Sequence, residues 1–268
     1  MPPEMDDSLR HLRLNSPLGG DLLLSQFSGK EEMSRLFRFN LDMVSNNPDL
    51  KFGEIVGQRV TIELDLENSV RFFDGFVTDF HYLGFDEPFV RYQATVRPWL
   101  WFLSRTSDCR IFLQGQDGIR TVPDIIKSVF SDNGMDDVEF RLNGTYRDWV
   151  YCVQYRETDF NFVSRLMEQE GIYYFFEHDK GKHILVLADD IAAHQPFPEH
   201  DSIPFHAMTG GVRVEDIDRV TRLSVRQSVQ SSKYSINDFD FEKPNIDLLA
   251  RNEKSRDHAE QIPIMEIF

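Results

Sequence analysis

Phe37-Arg38-Phe39-Asn40-Leu41-Asp42-Met43 alternates a large apolar side chain with a polar one at every step. Side chains on a strand point to opposite faces in turn, whereas an amphipathic helix needs apolar positions three or four apart. The stretch therefore reads as a strand with one buried face and one wet face. The same pattern recurs downstream. Val60, Ile62, Leu64 and Leu66 alternate with Thr61, Glu63 and Asp65, and Val90, Tyr92, Ala94 and Val96 alternate with Arg91, Gln93, Thr95 and Arg97. Between these runs, Phe76, Phe80 and Tyr82 are expected on one face with Thr78. Turn residues at Glu67-Asn68-Ser69 and from Gly84 to Pro88 separate the runs, and Pro98 ends the last one. Several half-buried strands at short spacing predict an antiparallel sandwich or barrel over residues 1–104. The 23 phenylalanines agree, since aromatic side chains suit a pleated surface.

The periodicity changes after Ser104. Thr121-Val122-Pro123-Asp124 has the form of a helix start, with a capping threonine, a proline in the first turn and an acid in capping-box position. Val122, Ile125, Ile126, Val129 and Phe130 then follow a helical stripe, which Asn133-Gly134 ends. A second helix is predicted from Thr158, burying Phe162, Val163, Leu166 and Met167 and closing at Gly171. A hairpin follows: Ile172 to Phe176, a turn at Asp179-Lys180-Gly181-Lys182, and Ile184 to Leu187. Residues 105–205 thus read as an inserted α+β domain whose tail, rich in proline and glycine across 189–212, is a linker. Alternation resumes with Thr221, Leu223 and Val225 against Arg222, Ser224 and Arg226, and again from Tyr234 to Phe241. Ile262 to Phe268 is strand-like, and a lone strand cannot bury itself. Residues 206–268 are expected to open a second barrel, cut from a longer protein.

Composition narrows the function classes. The net charge of the 268-residue chain is −16, and each third of it is acidic. Nucleic acid or an anionic membrane would require a basic cluster, and none exists. The acidity reads as solubility. Two cysteines, Cys109 and Cys152, make neither a disulfide framework nor a zinc site and are expected as reduced thiols. The acidic start from Met1 to Asp7 lacks the apolar core of a secretory signal, and no apolar run approaches a membrane span. The chain is expected to fold in the cytoplasm and to leave, if it leaves, already folded.

No strong catalytic motif is present: no phosphate-binding glycine loop, nucleophile elbow or H-E-x-x-H. The nearest metal-like grouping is Glu177-His178 with His183, then His194, His200 and His206. His178 and His183 flank the hairpin turn and are expected to approach each other. A zinc site needs three or four converging ligands, so they read as solvated turn histidines. Asp238, Asp240 and Glu242, at period two, would share one strand face, suited to a hard cation or, more simply, to a solvated edge. Asp124 and Asp159 sit where a helix dipole favours acids. Asn143-Gly144-Thr145 is an idle glycosylation sequon. No catalytic, cofactor-binding or metal residue is assigned.

Taken in order, several segments carry a resemblance. They are Ser16-Pro17-Leu18-Gly19-Gly20-Asp21, Ser34-Arg35-Leu36-Phe37-Arg38-Phe39, Val56-Gly57-Gln58, Phe73-Asp74-Gly75-Phe76-Val77, Arg97-Pro98-Trp99-Leu100-Trp101 and, most densely, the run from Gln154 to Phe176. Over residues 10–268 the chain resembles the VgrG family, the spike proteins of type VI secretion systems. The resemblance implies a structural part and not an enzyme: tail-tube-like β-barrels with an α+β insertion, like the hub at the base of a contractile phage tail. It implies a homotrimer whose six barrels match the six-fold Hcp tube, contacts with baseplate and effector proteins, and export by the type VI machine without a signal peptide. The family's needle and any toxic C-terminal domain would lie beyond Phe268. The alternatives are the hub of a phage tail or related injection machine and, more remotely, a metal-dependent hydrolase using the histidine or carboxylate clusters.

Overall fold

The computed structural model describes residues 10–66, 69–115, 118–195, 203, 205, 220, 222–226, 228 and 233–253, and the backbone of 266–267. Two compact units divide the chain, residues 1–195 and 196–268.

The first unit opens with six strands: β1 (Leu12–Asn15), β2 (Leu23–Lys30), β3 (Arg38–Ser45), β4 (Arg59–Asp65), β5 (Val70–Asp86) and β6 (Phe89–Arg97). They form one antiparallel sheet in the order β1-β4-β5-β6-β3-β2. The two edge strands also contact each other, so the sheet curls into a barrel-like shell. Its core takes the residues that alternation selects: Phe39, Leu41 and Met43 from β3, Val60 and Ile62 from β4, and Val90, Tyr92, Ala94 and Val96 from β6. Each such side chain withdrawn from water contributes roughly 1.5–3 kcal/mol.

β5 departs from simple alternation. A bulge between Val77 and Asp79 inserts Thr78 as an extra residue. Val77 and Phe80, three apart, therefore both face the barrel core, while Phe76 points the other way and packs on a second core. This corrects the expectation that Phe76, Phe80 and Tyr82 share a face: one inserted residue reverses every side chain beyond it. Gly75 lies where strands crowd. A Cβ there would sit 2.6 Å from Val96 Cγ1 and 3.0 Å from the Arg97 carbonyl oxygen.

After Pro98 a single 3-10 segment, Trp99–Ser104, buries Trp99, Leu100 and Leu103 and leads to β7 (Ser107–Leu113). Then come α1 (Val122–Asp132), β8 (Val138–Arg141), β9 (Tyr151–Thr158), α2 (Asp159–Glu170), β10 (Tyr173–Asp179) and β11 (Lys182–Ala188). β7 and β9 form an antiparallel ribbon, and β10, β11 and β8 form a three-stranded sheet. α1 buries Val122, Ile125, Ile126, Val129 and Phe130, and the Asp124 carboxylate accepts from the Thr121 N–H at 2.9 Å. Thr158 Oγ1 caps α2 by accepting from the Asn161 N–H at 3.1 Å, and Gly171, at φ 74°, closes it. Both helices, with Phe112, Cys152, Leu185 and Leu187, make a core distinct from that of the barrel.

In the second unit, β12 (Lys233–Ile236) pairs antiparallel with β13 (Ala250–Glu253) and parallel with β14 (Glu266–Ile267). Residues 222–226 are exposed and not in a strand, against the expectation from Leu223 and Val225. The expected strand from Tyr234 to Phe241 stops at Ile236, where its pairing with β13 ends at Ala250; further on, the Asp240 carboxylate accepts from the Glu242 N–H at 2.8 Å and turns the chain. Most of the expected linker, with His200 and His206, lies outside the described residues. The described fold is mainly β, with antiparallel pairing throughout its largest sheet.

Candidate functional site

His183 stands at period two with Leu185 and Leu187 on β11, so the buried face of the strand carries it inward. His178 shares its β10 face with Tyr174 and Phe176. The two histidines are cross-strand partners, with ring centroids 6.0 Å apart. The hairpin does bring them together, but neither is solvated: His183 is fully buried and the His178 side chain is 8% exposed. They stand in the joint between the hairpin and the outer side of the barrel.

Asp74 of β5 organises that joint and is itself fully buried. The Trp99 N–H donates to His183 Nε2 at 3.0 Å, which leaves the proton on Nδ1, and Nδ1–H donates to Asp74 Oδ1 at 2.8 Å. Thr61 Oγ1 donates to Asp74 Oδ2 at 2.9 Å. The Asp74 N–H donates to His178 Nδ1 at 3.0 Å, so His178 Nε2–H faces Glu31 Oε1 at 2.8 Å. Arg59 adds a clasp, donating to the Gly181 carbonyl at 2.6 Å and to Asp137 at 3.0 Å. Phe37 lies 5.0 Å from the rings of both Phe176 and His178 and 5.5 Å from His183.

Burial pushes the pKa of His183 below the ordinary 6.5, against the pull of Asp74. Protonating Nε2 would also cost the Trp99 hydrogen bond. An Asp–His pair is half of a hydrolytic triad, yet here the nitrogen that would take a nucleophile's proton is already occupied by a backbone amide. The arrangement joins two layers and offers no base to a substrate.

A second polar cluster centres on Asp159, the first residue of α2, which is 4% exposed. Its carboxylate accepts from Gln154 at 2.7 Å, Thr106 at 2.8 Å, Arg110 at 2.8 Å and Asn133 at 3.2 Å. Burial opposes its charge, but these donors hold its pKa below the usual carboxylate value. The helix-dipole reading of Asp159 is too small: the residue fastens α1, α2 and the β7–β9 ribbon together.

The remaining candidates do not converge. Glu177 faces outward in a two-bonded pair with Arg141, at 2.7 and 2.8 Å. His194 stacks on Tyr173 with centroids 5.7 Å apart. Asp238, Asp240 and Glu242 lie beyond the end of β12, where Asp240 turns the chain, and do not share a strand face. Asn143 and Gly144 donate their N–H groups to Asp189. Cys109 is exposed and Cys152 buried, and both are free thiols. Among the described residues, no three histidine, cysteine or acidic side chains are grouped to hold a metal ion, and no helix is long and apolar enough to cross a membrane.

Residues 30–264 match the family described as phage tail baseplate hub (GPD), a span that takes in strands β3 to β6 of the barrel, the joint and the α+β layer. The chain belongs to the phage tail baseplate hub family. Among curated relatives, it is 46% identical over 252 residues to the type VI secretion system spike protein VgrG1b of Pseudomonas aeruginosa, covering 93% of this chain and 33% of that relative. It thus spans about a third of the length of that relative. Two solved structures share this hub fold. The E. coli c3393 protein, described as a type VI secretion component with structural similarity to T4 tail proteins gp27 and gp5, has a TM-score of 0.60 at 24% identity, covering 69% of this chain and 51% of that one. A tail protein from Neisseria meningitidis has a TM-score of 0.60 at 10% identity, covering 96% of this chain and 71% of that one.

Proposed function

We propose that this chain is the hub region of a type VI secretion spike, a structural part that couples a needle to the Hcp tube. The observation that carries the proposal is the 46% identity to a spike protein across 93% of the chain. The chemistry of the joint agrees, since its imidazoles and carboxylate bond each other and the backbone. In this reading residues 1–104 form the first tube-like barrel, 105–205 the α+β layer and 206–268 the opening of a second barrel. Three copies bring six barrels into a ring on the hexameric Hcp tube, and baseplate and effector proteins bind around it. The protein folds in the cytoplasm, leaves through the machine without a signal peptide, and this region carries no catalysis. A hub resists force best as curled sheets that leave few free edges.

The hub of a phage tail is the second reading, favoured by the likeness to the Neisseria tail protein. Replacing the gene in a bacterium with a working type VI machine separates the two. Hcp appears in the medium when the spike functions. A variant with a broken barrel core, such as Phe39→Asp, is expected to abolish that export. Unchanged Hcp export without the protein overturns the spike reading, and a monomeric whole protein by light scattering overturns the ring.

A further inference from the structure

The β7–β9 ribbon packs only one of its faces. Inward, Phe112 stacks on Phe162 of α2 at 5.6 Å. Outward, three cross-strand pairs follow one another: Cys109 with Tyr155, Ile111 with Val153, and Leu113 with Tyr151. All six are exposed, Ile111 at 63% and Tyr155 at 65%. An unbroken apolar face of this kind marks an interaction surface rather than scattered surface residues. Tyrosine and arginine dominate binding hot spots, and Arg156 lies over Tyr155 at 5.3 Å. Arg156 is also held at φ 50°, at the bulge between Asp108 and Cys109. Strain of that sort persists where function requires the side chain to be aimed. Among the described residues, neither Arg156 nor Arg147 has an acidic partner, on a chain whose net charge is −16.

The barrel carries the converse chemistry. Beyond Val77, β5 has no strand partner on the side away from β6 among the described residues. That stretch exposes Leu83 and Phe85, the latter at 62%, beside Asp79, Asp86 and Glu87. Asp86 is shared with Arg91 at 3.6 Å.

We infer that the outer face of the β7–β9 ribbon docks a second copy of the chain, receiving the acidic, apolar β5–β6 turn of its neighbour. Two different patches on one chain give a heterologous contact, the kind that closes a ring. The inference rests on the assembly proposed above and names the surfaces that would build it. Cys109 lies within the face and supplies the probe. In the whole protein, with any cysteines outside residues 1–268 replaced, Cys109 is labelled with benzophenone maleimide; buried Cys152 is spared and Cys109→Ala is the blank. Irradiation is expected to give a two-chain product joined to residues 78–91 of a second copy. Ile111→Glu and Phe85→Glu, both exposed changes that leave the circular dichroism spectrum intact, should each reduce its yield about tenfold. A trimeric particle whose label reacts only within its own chain, elsewhere on a neighbour, or with added Hcp overturns this face and leaves the hub reading standing. A monomeric particle with no product overturns both.

Discussion

Asp74 and Asp159 are both buried carboxylates at the heart of polar clusters, yet they do different work. Asp74 bonds side chains distant in the chain: His183, 109 positions away, and, through its N–H, His178, 104 away. It fixes one layer of the unit to another. Asp159 gathers donors from within the α+β layer, the nearest only five residues off. Their surroundings differ too. The two side chains that hydrogen-bond the Asp74 carboxylate, His183 and Thr61, are buried, and the half-exposed Arg59 stands 3.9 Å from it, whereas Arg110, 20% exposed, bonds Asp159 directly and also reaches Asp108 and Asp132. A buried acid matters in proportion to how few alternatives its partners have.

Removing Asp74 should therefore be the severest single change. Asp74→Ala leaves the His183 Nδ1–H and the Thr61 hydroxyl unpaired in a dry site, a loss of about 3–5 kcal/mol. The thermal midpoint is expected to fall by roughly 10 °C. Asp74→Asn sharpens the point, because an amide can turn its oxygen to His183 and its NH2 to Thr61, and it should recover more than half of the loss. Equal damage from both variants would mean that the charge matters rather than the hydrogen-bond pattern. Asp159→Ala should cost less, about 2–3 kcal/mol, since Arg110 can turn to its other acids or to water. Hydrogen exchange should then quicken at α2 and the ribbon while the barrel strands stay protected. A loss equal to that of Asp74→Ala would erase the distinction.

The same contrast shows what the sequence made legible. Period-two runs located β3, β4 and β6, and capping residues with helical stripes located α1 and α2, because each is a local signal. The bulge at Thr78 was not legible, since it depends on how β5 registers against β6. His183 was half legible: its period with Leu185 and Leu187 marks it as inward, but the loop-flanking position suggested water. Its acceptor role was hidden, because the donor is the backbone of Trp99, 84 positions away. In the second unit, alternation at Leu223 and Val225 names a face to be buried. It does not supply the neighbouring strand that would make the segment a strand.

Acid should find the Asp74 joint before the Asp159 cluster. The folded His183 has a pKa below the ordinary 6.5, so the unfolded chain binds its proton more readily. Stability is then full above about pH 6.5 and falls as the pH drops below it, by at most about 1.4 kcal/mol per pH unit for this group. Asp74, Glu31, His178 and Arg59 all face the site, so the proton enters a coupled network. Asp159 has a lowered pKa, so its contribution is present above the usual carboxylate range and is lost only as the pH falls through its folded value. Urea unfolding at pH 8, 6 and 5 should show the decline, and His183→Gln should flatten it between pH 6.5 and 5. An unchanged slope in that variant would assign the decline elsewhere.

The smallest effects belong to the α2 boundaries, where the Asp159 cluster meets ordinary helix chemistry. Thr158→Ala removes the acceptor for the Asn161 N–H and should cost about 1 kcal/mol. Gly171→Ala forces a Cβ into φ 74° with nothing within 4 Å of it, so its cost is conformational and also about 1 kcal/mol. Neither side chain bonds the Asp159 carboxylate, so each should add to Asp159→Ala at nearly full value if the cluster and the caps act independently. Thr158 adjoins Asp159 in the chain, and coupling is the sharper test there. A double variant clearly less damaged than the sum would mean that the cap serves chiefly to present the carboxylate to its four donors, and that the Asp159 cluster reaches one residue further into the chain than its hydrogen bonds alone define.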